Sequence, residues 1–404
     1  MSSVAKQKFG LLLGTHYEII EKCLMNFEPL ELSRVARVCK AWNKVAKKII
    51  EMKSKHPIAV ISDIEYVKLE RGIPASAVKD SFKHCLGYKS TLHLSFITEK
   101  CIGDLDLPGL RQYLSPKCRN ICLPANGIIG TKADGVVNTM LNFQFIPEKR
   151  AKCNMCNIGM SSMLLPCYEG VKVYTFHTLG SSFLDSEFWD EGLNSGTLEK
   201  IIPKEEKLKC ALVVSFDGQE TAAEIYRDLS IRQEEPFAFG GYFAGEDNQM
   251  FLDCGDHSER LIPRACGVLI TGGNVVAASV VIRGQTLKEI TVGLEKVCLI
   301  LLFKYLWTHL VLIFQLKSYN LPEKNAVCLM FSCVGRRRTK KEVEIYQSMF
   351  PNIPLAGCTG YGEFGIDYCT DSKKDQSSAN KRLKTETQVL HGFTSIYVMI
   401  SSRN

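Results

Sequence analysis

Cys333 stands before Gly335 and the run Arg336-Arg337-Arg338. Nearby guanidinium charge favours the thiolate, the form in which cysteine attacks electrophiles. Two readings of this thiol stand side by side. It is a reactive or ligand-contacting group, or it is a buried cysteine packing as a small hydrophobe. His391 is remote in the chain, and no local base supports catalysis by Cys333. Further on, Gly360, Gly362 and Gly365 have the spacing G-x-G-x-x-G, with Glu363 inside it. Such a run holds pyrophosphate when it opens a helix, so that backbone amides meet the anion. Ile366-Asp367-Tyr368-Cys369-Thr370 reads as extended instead. The glycines and Glu363 are therefore expected to line a ligand or peptide pocket with Cys333 and Arg336. Cys118-x3-Cys122 and Cys153-x2-Cys156 offer four thiols, but the first spacing is loose and the gap between the pairs is long for zinc. No metal, cofactor or catalytic residue is expected.

A second set of residues points to binding. Ile19, Ile20, Cys23 and Leu24 form a helical stripe. Pro29 suits the first turn of a second helix, where its missing donor is harmless. Leu30, Leu32, Val35, Ala36, Val38 and Cys39 follow. Trp42, Val45, Ala46, Ile49 and Ile50 repeat at helical spacing, and His56-Pro57 ends the run because the residue before proline leaves the helical region. Residues 14–56 thus form a small helical module with more apolar side chains than three short helices can hide. That excess suggests a docking surface. Ile19, Ile20, Leu24, Leu30, Leu32, Val38, Cys39 and Trp42 are its candidate contacts. Arg34, Arg37, Lys40, Lys44, Lys47 and Lys48 form a basic face, which is either simply solvated or steers an acidic partner.

The elements that must position these groups are short strands from residue 58 onward. Ala59-Val60-Ile61, Asn120 to Leu123, Gly127-Ile128-Ile129, Val171 to Tyr174, Cys210 to Val214, Phe237 to Phe243 and Val327 to Ser332 all read as strands. Leu355 begins another, and Val389 to Ile400 closes the chain. Residues 219–231 suit a helix with Ala222, Ala223, Ile225, Tyr226 and Leu229 inward. Gly267 to Thr271 and Val275 to Ile282 flank Gly272-Gly273-Asn274, a hairpin signal. Thr339 opens a helix with Glu342 at capping-box spacing. Val343, Tyr346 and Phe350 are its buried stripe. The expected fold is mixed α/β or α+β: the helical module, then a two-lobed body divided into residues 57–258 and 259–404.

The chain has 404 residues, 46% hydrophobic and 23% charged, which excludes global disorder and fibrous structure. Its net charge of +7 permits an acidic partner without requiring nucleic acid, and no nucleic-acid partner is expected. Seventeen scattered cysteines, an odd number, and no signal-like start predict a reduced intracellular protein.

The helical module resembles an F-box. The residues that carry this are Phe27-x-Pro29-Leu30-x-Leu32 and Val38-Cys39-Lys40-Ala41-Trp42. Gly14-Thr15-His16 stands where the family usually has Leu-Pro. The resemblance implies docking to a Skp-type adaptor, and through it to a cullin-RING ubiquitin ligase. Leu329-Met330-Phe331-Ser332-Cys333-Val334-Gly335-Arg336, Pro354-Leu355-Ala356-Gly357 and Gly360-Tyr361-Gly362-Glu363-Phe364-Gly365, with Gly240-Gly241-Tyr242 upstream, resemble the C-terminal part of FIST domains. Arg337 replaces that family's glycine. FIST domains are regarded as small-molecule sensing or binding folds. Together the two resemblances imply a non-catalytic substrate receptor whose body binds a target protein for ubiquitylation; the alternative is a ligand-sensing FIST protein.

Cys298 to Leu316 is almost wholly apolar and is long enough to span a bilayer, although Lys304 and His309 sit inside it. A membrane span, a buried helix and a short retained intron covering residues 297–315 all account for it. The F-box–FIST arrangement has an ordinary amphipathic helix and linker there, which favours the intron, and a membrane partner is not expected. Lys381-Arg382-Leu383-Lys384 is either a nuclear-import signal or a solvated loop; cytoplasm and nucleus are the expected locations.

Overall fold

The computed structural model describes residues 16–27, 29–67, 89–98, 114–115, 117–132, 137–140, 155–178, 186–187, 201–203, 205–233, 235–245, 250–253, 258–261, 263–283, 321–336, 339–369 and 389–403. The apolar run from Cys298 to Leu316, Cys153 and the basic loop around Lys381 lie outside them. No helix among the described residues is long and apolar enough to cross a membrane.

Three helices come first: α1 (Tyr17–Leu24), α2 (Pro29–Val35) and α3 (Lys40–Lys53). Their apolar stripes close on one another. Ile20 and Leu24 of α1, Leu32 of α2, and Ala41, Val45, Ala46 and Ile49 of α3 form one buried cluster. Trp42 packs against it from the side. Each fully buried large side chain stabilises this contact by roughly 1.5–3 kcal/mol.

The strands follow: β1 (Ile58–Val67), β2 (Ser90–Thr98), β3 (Arg119–Ala125), β4 (Gly127–Thr131), β5 (Val137–Met140), β6 (Met155–Pro166), β7 (Lys172–Thr178), β8 (Ser186–Glu187) and β9 (Leu208–Ser215). After the helix α4 (Gln219–Arg232) come β10 (Ala238–Phe243), β11 (Met250–Asp253), β12 (Ser258–Leu261), β13 (Ala265–Thr271), β14 (Val275–Ile282) and β15 (Ala326–Cys333). The helix α5 (Thr339–Met349) then precedes β16 (Leu355–Gly360), β17 (Glu363–Gly365), β18 (Tyr368–Cys369), β19 (Leu390–His391) and β20 (Ser395–Ser402).

They build three mixed sheets, so the class is mixed α+β. The strand orders are β1-β6-β2-β3-β11-β12, β19-β17-β10-β9-β13-β7-β8 and β18-β14-β20-β15-β16-β4-β5. Strands from residues 57–258 and from 259–404 share sheets: β4 pairs with β16, and β9 with β13. Continuous apolar runs explain this. β13, β14, β15 and β20 are buried along their whole length, so each needs a covered face on both sides.

The main core lies where the three sheets meet. Leu94 and Phe96 come from the first sheet, Leu212 and Tyr242 from the second, and Leu329, Phe331 and Val398 from the third. Phe96 meets Tyr242 and Phe331 edge-on, with ring centroids 6.0 and 5.8 Å apart, while Tyr242 stacks on Phe331 at 5.7 Å. The Tyr242 hydroxyl donates to the Pro124 carbonyl at 2.6 Å, which satisfies its one polar atom. The outer face of the second sheet is covered by α4 through Ala222, Ile225 and Leu229. That of the third is covered by α5 through Val343, Tyr346 and Met349.

Three local expectations fail. Gly272-Gly273-Asn274 does turn the chain, with Gly272 at φ +130°, but β13 and β14 do not pair as a hairpin. β13 lies between β7 and β9, and β14 between β18 and β20. Both strands are apolar on two faces, so each is more fully buried in a separate sheet than beside the other. Glu342 is not the reciprocal member of a capping box either. Its carboxylate is taken by Arg336. The final strand is also interrupted, because residues 392–394 turn between β19 and β20.

Candidate functional site

Cys333 ends β15, and the chain then turns sharply. The Val334 amide donates to the Gly360 carbonyl at 2.8 Å, and the Arg336 amide to the Cys333 carbonyl at 2.9 Å. This turn brings Arg336 back over the start of α5. Its Nε donates to Glu342 Oε1 at 2.7 Å, and Nη2 lies 2.6 Å from the same oxygen. Nη1 donates to the Phe393 carbonyl. Arg336 and Glu342 are both buried.

Glu363 begins β17 and is fully buried. It pairs in register with Tyr242 of β10 and His391 of β19. Its Oε2 accepts from the Thr394 amide at 3.2 Å and from the Thr394 hydroxyl at 2.8 Å. Oε1 is buried, and the carboxyl also meets the Cys333 thiol. Burial is the largest influence on this carboxyl and pushes its pKa up to about 7; the Thr394 bonds, the Cys333 thiol and the Arg336 charge pull the other way.

Cys333 therefore differs from the thiolate that its arginines suggest. Burial raises the thiol first, and the neighbouring Glu363 carboxylate raises it further. The guanidinium of Arg336 is directed at Glu342 and the Phe393 carbonyl, and its charge is offset there. His391 Nε2 bonds to the Gly365 carbonyl at 3.0 Å, and burial lowers its pKa.

The glycine run enters no helix. Gly360 ends β16, and Glu363 to Gly365 form β17. A Cβ on Gly360 would meet Tyr242 Cδ2 at 2.6 Å and the Phe243 carbonyl at 2.8 Å. A Cβ on Gly362 would overlap the Gln219 side chain. These glycines admit neighbouring side chains and do not leave a pocket lined by backbone. What reaches the surface here is Val334, Tyr361 and Phe393, exposed by 37%, 44% and 52%. Phe393 has φ +58°, the only non-glycine positive φ among the described residues. Its ring lies over Gly335, where a Cβ would approach it to 2.8 Å. A strained residue persists only when its surroundings hold it. Arg336 on its carbonyl and Glu363 on the next residue do so. No periodicity or motif announces Thr394 or Phe393, and the motif that contains Tyr361 gives that residue no role, since their positions come from strands that meet only in the fold.

The helical unit divides its candidates. Ile20, Leu24 and Leu32 are sealed in its own core, whereas Ile19, Val38 and Cys39 are exposed and Trp42 is half-buried. The side chain of Leu30 lies outside the described residues. Tyr17 and Met25 add exposed apolar surface, and Lys44 sits 5.5 Å over the Tyr17 ring. Arg34, Arg37, Lys40, Lys44, Lys47 and Lys48 are all exposed.

Cys118 and Cys122 are buried and bonded locally: the Ser90 hydroxyl donates to Cys118 Sγ at 3.2 Å, and Cys122 Sγ contacts Asn120 Oδ1 at 3.6 Å. Among the described residues no group of three ligands could hold a metal ion. A buried polar chain elsewhere links Ser95, His93 and Asn120, with His93 Nε2 2.9 Å from the Ser95 hydroxyl and Nδ1 2.8 Å from Asn120 Oδ1.

No family model matches the chain. Over its length it is similar to F-box only protein 22 of Pongo abelii and to F-box only protein 22 of Homo sapiens. Each is 21% identical over a 421-residue alignment, which covers 96% of this chain and 93% of the relative.

Proposed function

We propose that this chain is the substrate-recognition subunit of a Skp–cullin–F-box type ubiquitin ligase. One observation carries the reading. The three N-terminal helices complete their own core with Ile20, Leu24, Leu32, Val45 and Ile49, yet still present Tyr17, Ile19, Met25 and Val38 to solvent beside a basic face. A surplus of exposed large apolar side chains on so small a unit suits a partner with apolar pockets and acidic surroundings. The similarity to F-box only protein 22 along the chain supports the same assignment. On this reading residues 14–56 are the F-box module, and the remainder is a two-lobed FIST-like body working in cytoplasm and nucleus. The target protein contacts the body at Val334, Tyr361 and Phe393. The chain contributes positioning, which raises the effective concentration of target lysines near the conjugating enzyme, and no catalytic residue of its own.

Co-purification with a Skp-type adaptor tests this. Ile19→Glu with Val38→Glu alters only exposed positions, so capture is lost while the thermal melt of the chain is kept. Undiminished capture by that variant overturns the docking surface.

A second reading, a ligand-sensing protein in which a small molecule gates partner binding, is favoured by one specific feature: the fully buried Glu363 carboxyl beside the Cys333 thiol, with the exposed Tyr361 and Phe393 close to it and to Thr394 in the chain. A gate of this kind requires the ligand to prefer one conformational state.

A further inference from the structure

We draw no further inference here: the strongest candidate, the Ser95–His93–Asn120 side-chain cluster on β2 and β3 of the first sheet, carries nothing, because all three side chains are buried, the Ser95 hydroxyl is already bonded to His93 and Ser162, and nothing among the described residues gives a substrate access to it.

Discussion

Arg336 grips Glu342 through Nε at 2.7 Å and Nη2 at 2.6 Å, and the two side chains are 3% and 0% exposed. The same guanidinium bonds the Phe393 carbonyl, so one buried ion pair joins β15, α5 and the turn before β20. Taking two charges out of water is expensive, and the loss of one partner leaves the other uncompensated. Arg336→Ala should destabilise the chain by about 3–5 kcal/mol in urea unfolding. The apolar pair Arg336→Met/Glu342→Leu should recover most of that loss. If the double variant is no better than the single one, the burial of Glu342 is not what makes Arg336 important.

Glu363 sets a pH dependence of opposite sign to that of an ordinary surface carboxylate. Its folded pKa of about 7 lies above the usual value of 4.5, so the folded state binds the proton more tightly. Its contribution is fully present below pH 4.5 and is lost as pH rises toward 7. The shift corresponds to about 3 kcal/mol. Urea titrations at steps across this window, compared with Glu363→Gln, should show the difference between the two proteins growing with pH and levelling above 7.

Two histidines act in the other direction. Burial lowers His93 and His177 from 6.5 to about 4. Their contributions are present above pH 6.5 and are lost as pH falls through 4. His93 is bonded to both Ser95 and Asn120, and protonation would turn its acceptor nitrogen into a donor. Stability should therefore fall below pH 6 with the uptake of up to two protons per chain, measurable as the slope of unfolding free energy against pH. A slope that shows no proton uptake there would remove this account.

Gly241 and Gly362 look alike in the sequence but should respond differently. A Cβ on Gly241 would overlap the Val213 carbonyl, which is backbone in the adjacent strand. A Cβ on Gly362 would overlap only the far end of Gln219, a flexible side chain. Gly241→Ala should cost more than 3 kcal/mol or prevent folding, a large effect on the scale of single substitutions. Gly362→Ala should cost about 1 kcal/mol and be rescued by Gln219→Ser. Thermal melts of the four proteins check the contrast.

On the proposed function, substitutions in the helical unit should separate folding from docking. Leu24→Ala removes a buried side chain and should cost about 2–5 kcal/mol within that unit. Val38→Glu, at a position 64% exposed, should leave its melt unchanged while abolishing adaptor capture. A chain in which both substitutions act equally on stability would show that Val38 is not a surface contact.

The sequence by itself determined the elements. Apolar periods of 3.6 marked α1, α3 and α4, and continuous Val/Ile/Leu runs marked β9, β13, β14, β15 and β20, because burial on one stripe or on both faces leaves a local pattern. It also showed the surplus of apolar side chains in residues 14–56, of which Tyr17, Ile19, Met25 and Val38 are exposed. Only the tertiary structure decided which strands are neighbours, and hence that β13 and β14 part into separate sheets. It turned Arg336 away from Cys333 and onto Glu342, filled the space of Gly362 with Gln219, and set Thr394 and Phe393 at the site. The reason is physical. Periodicity records how much of a residue is covered, whereas ion pairing or a shifted pKa depends on which distant side chain does the covering.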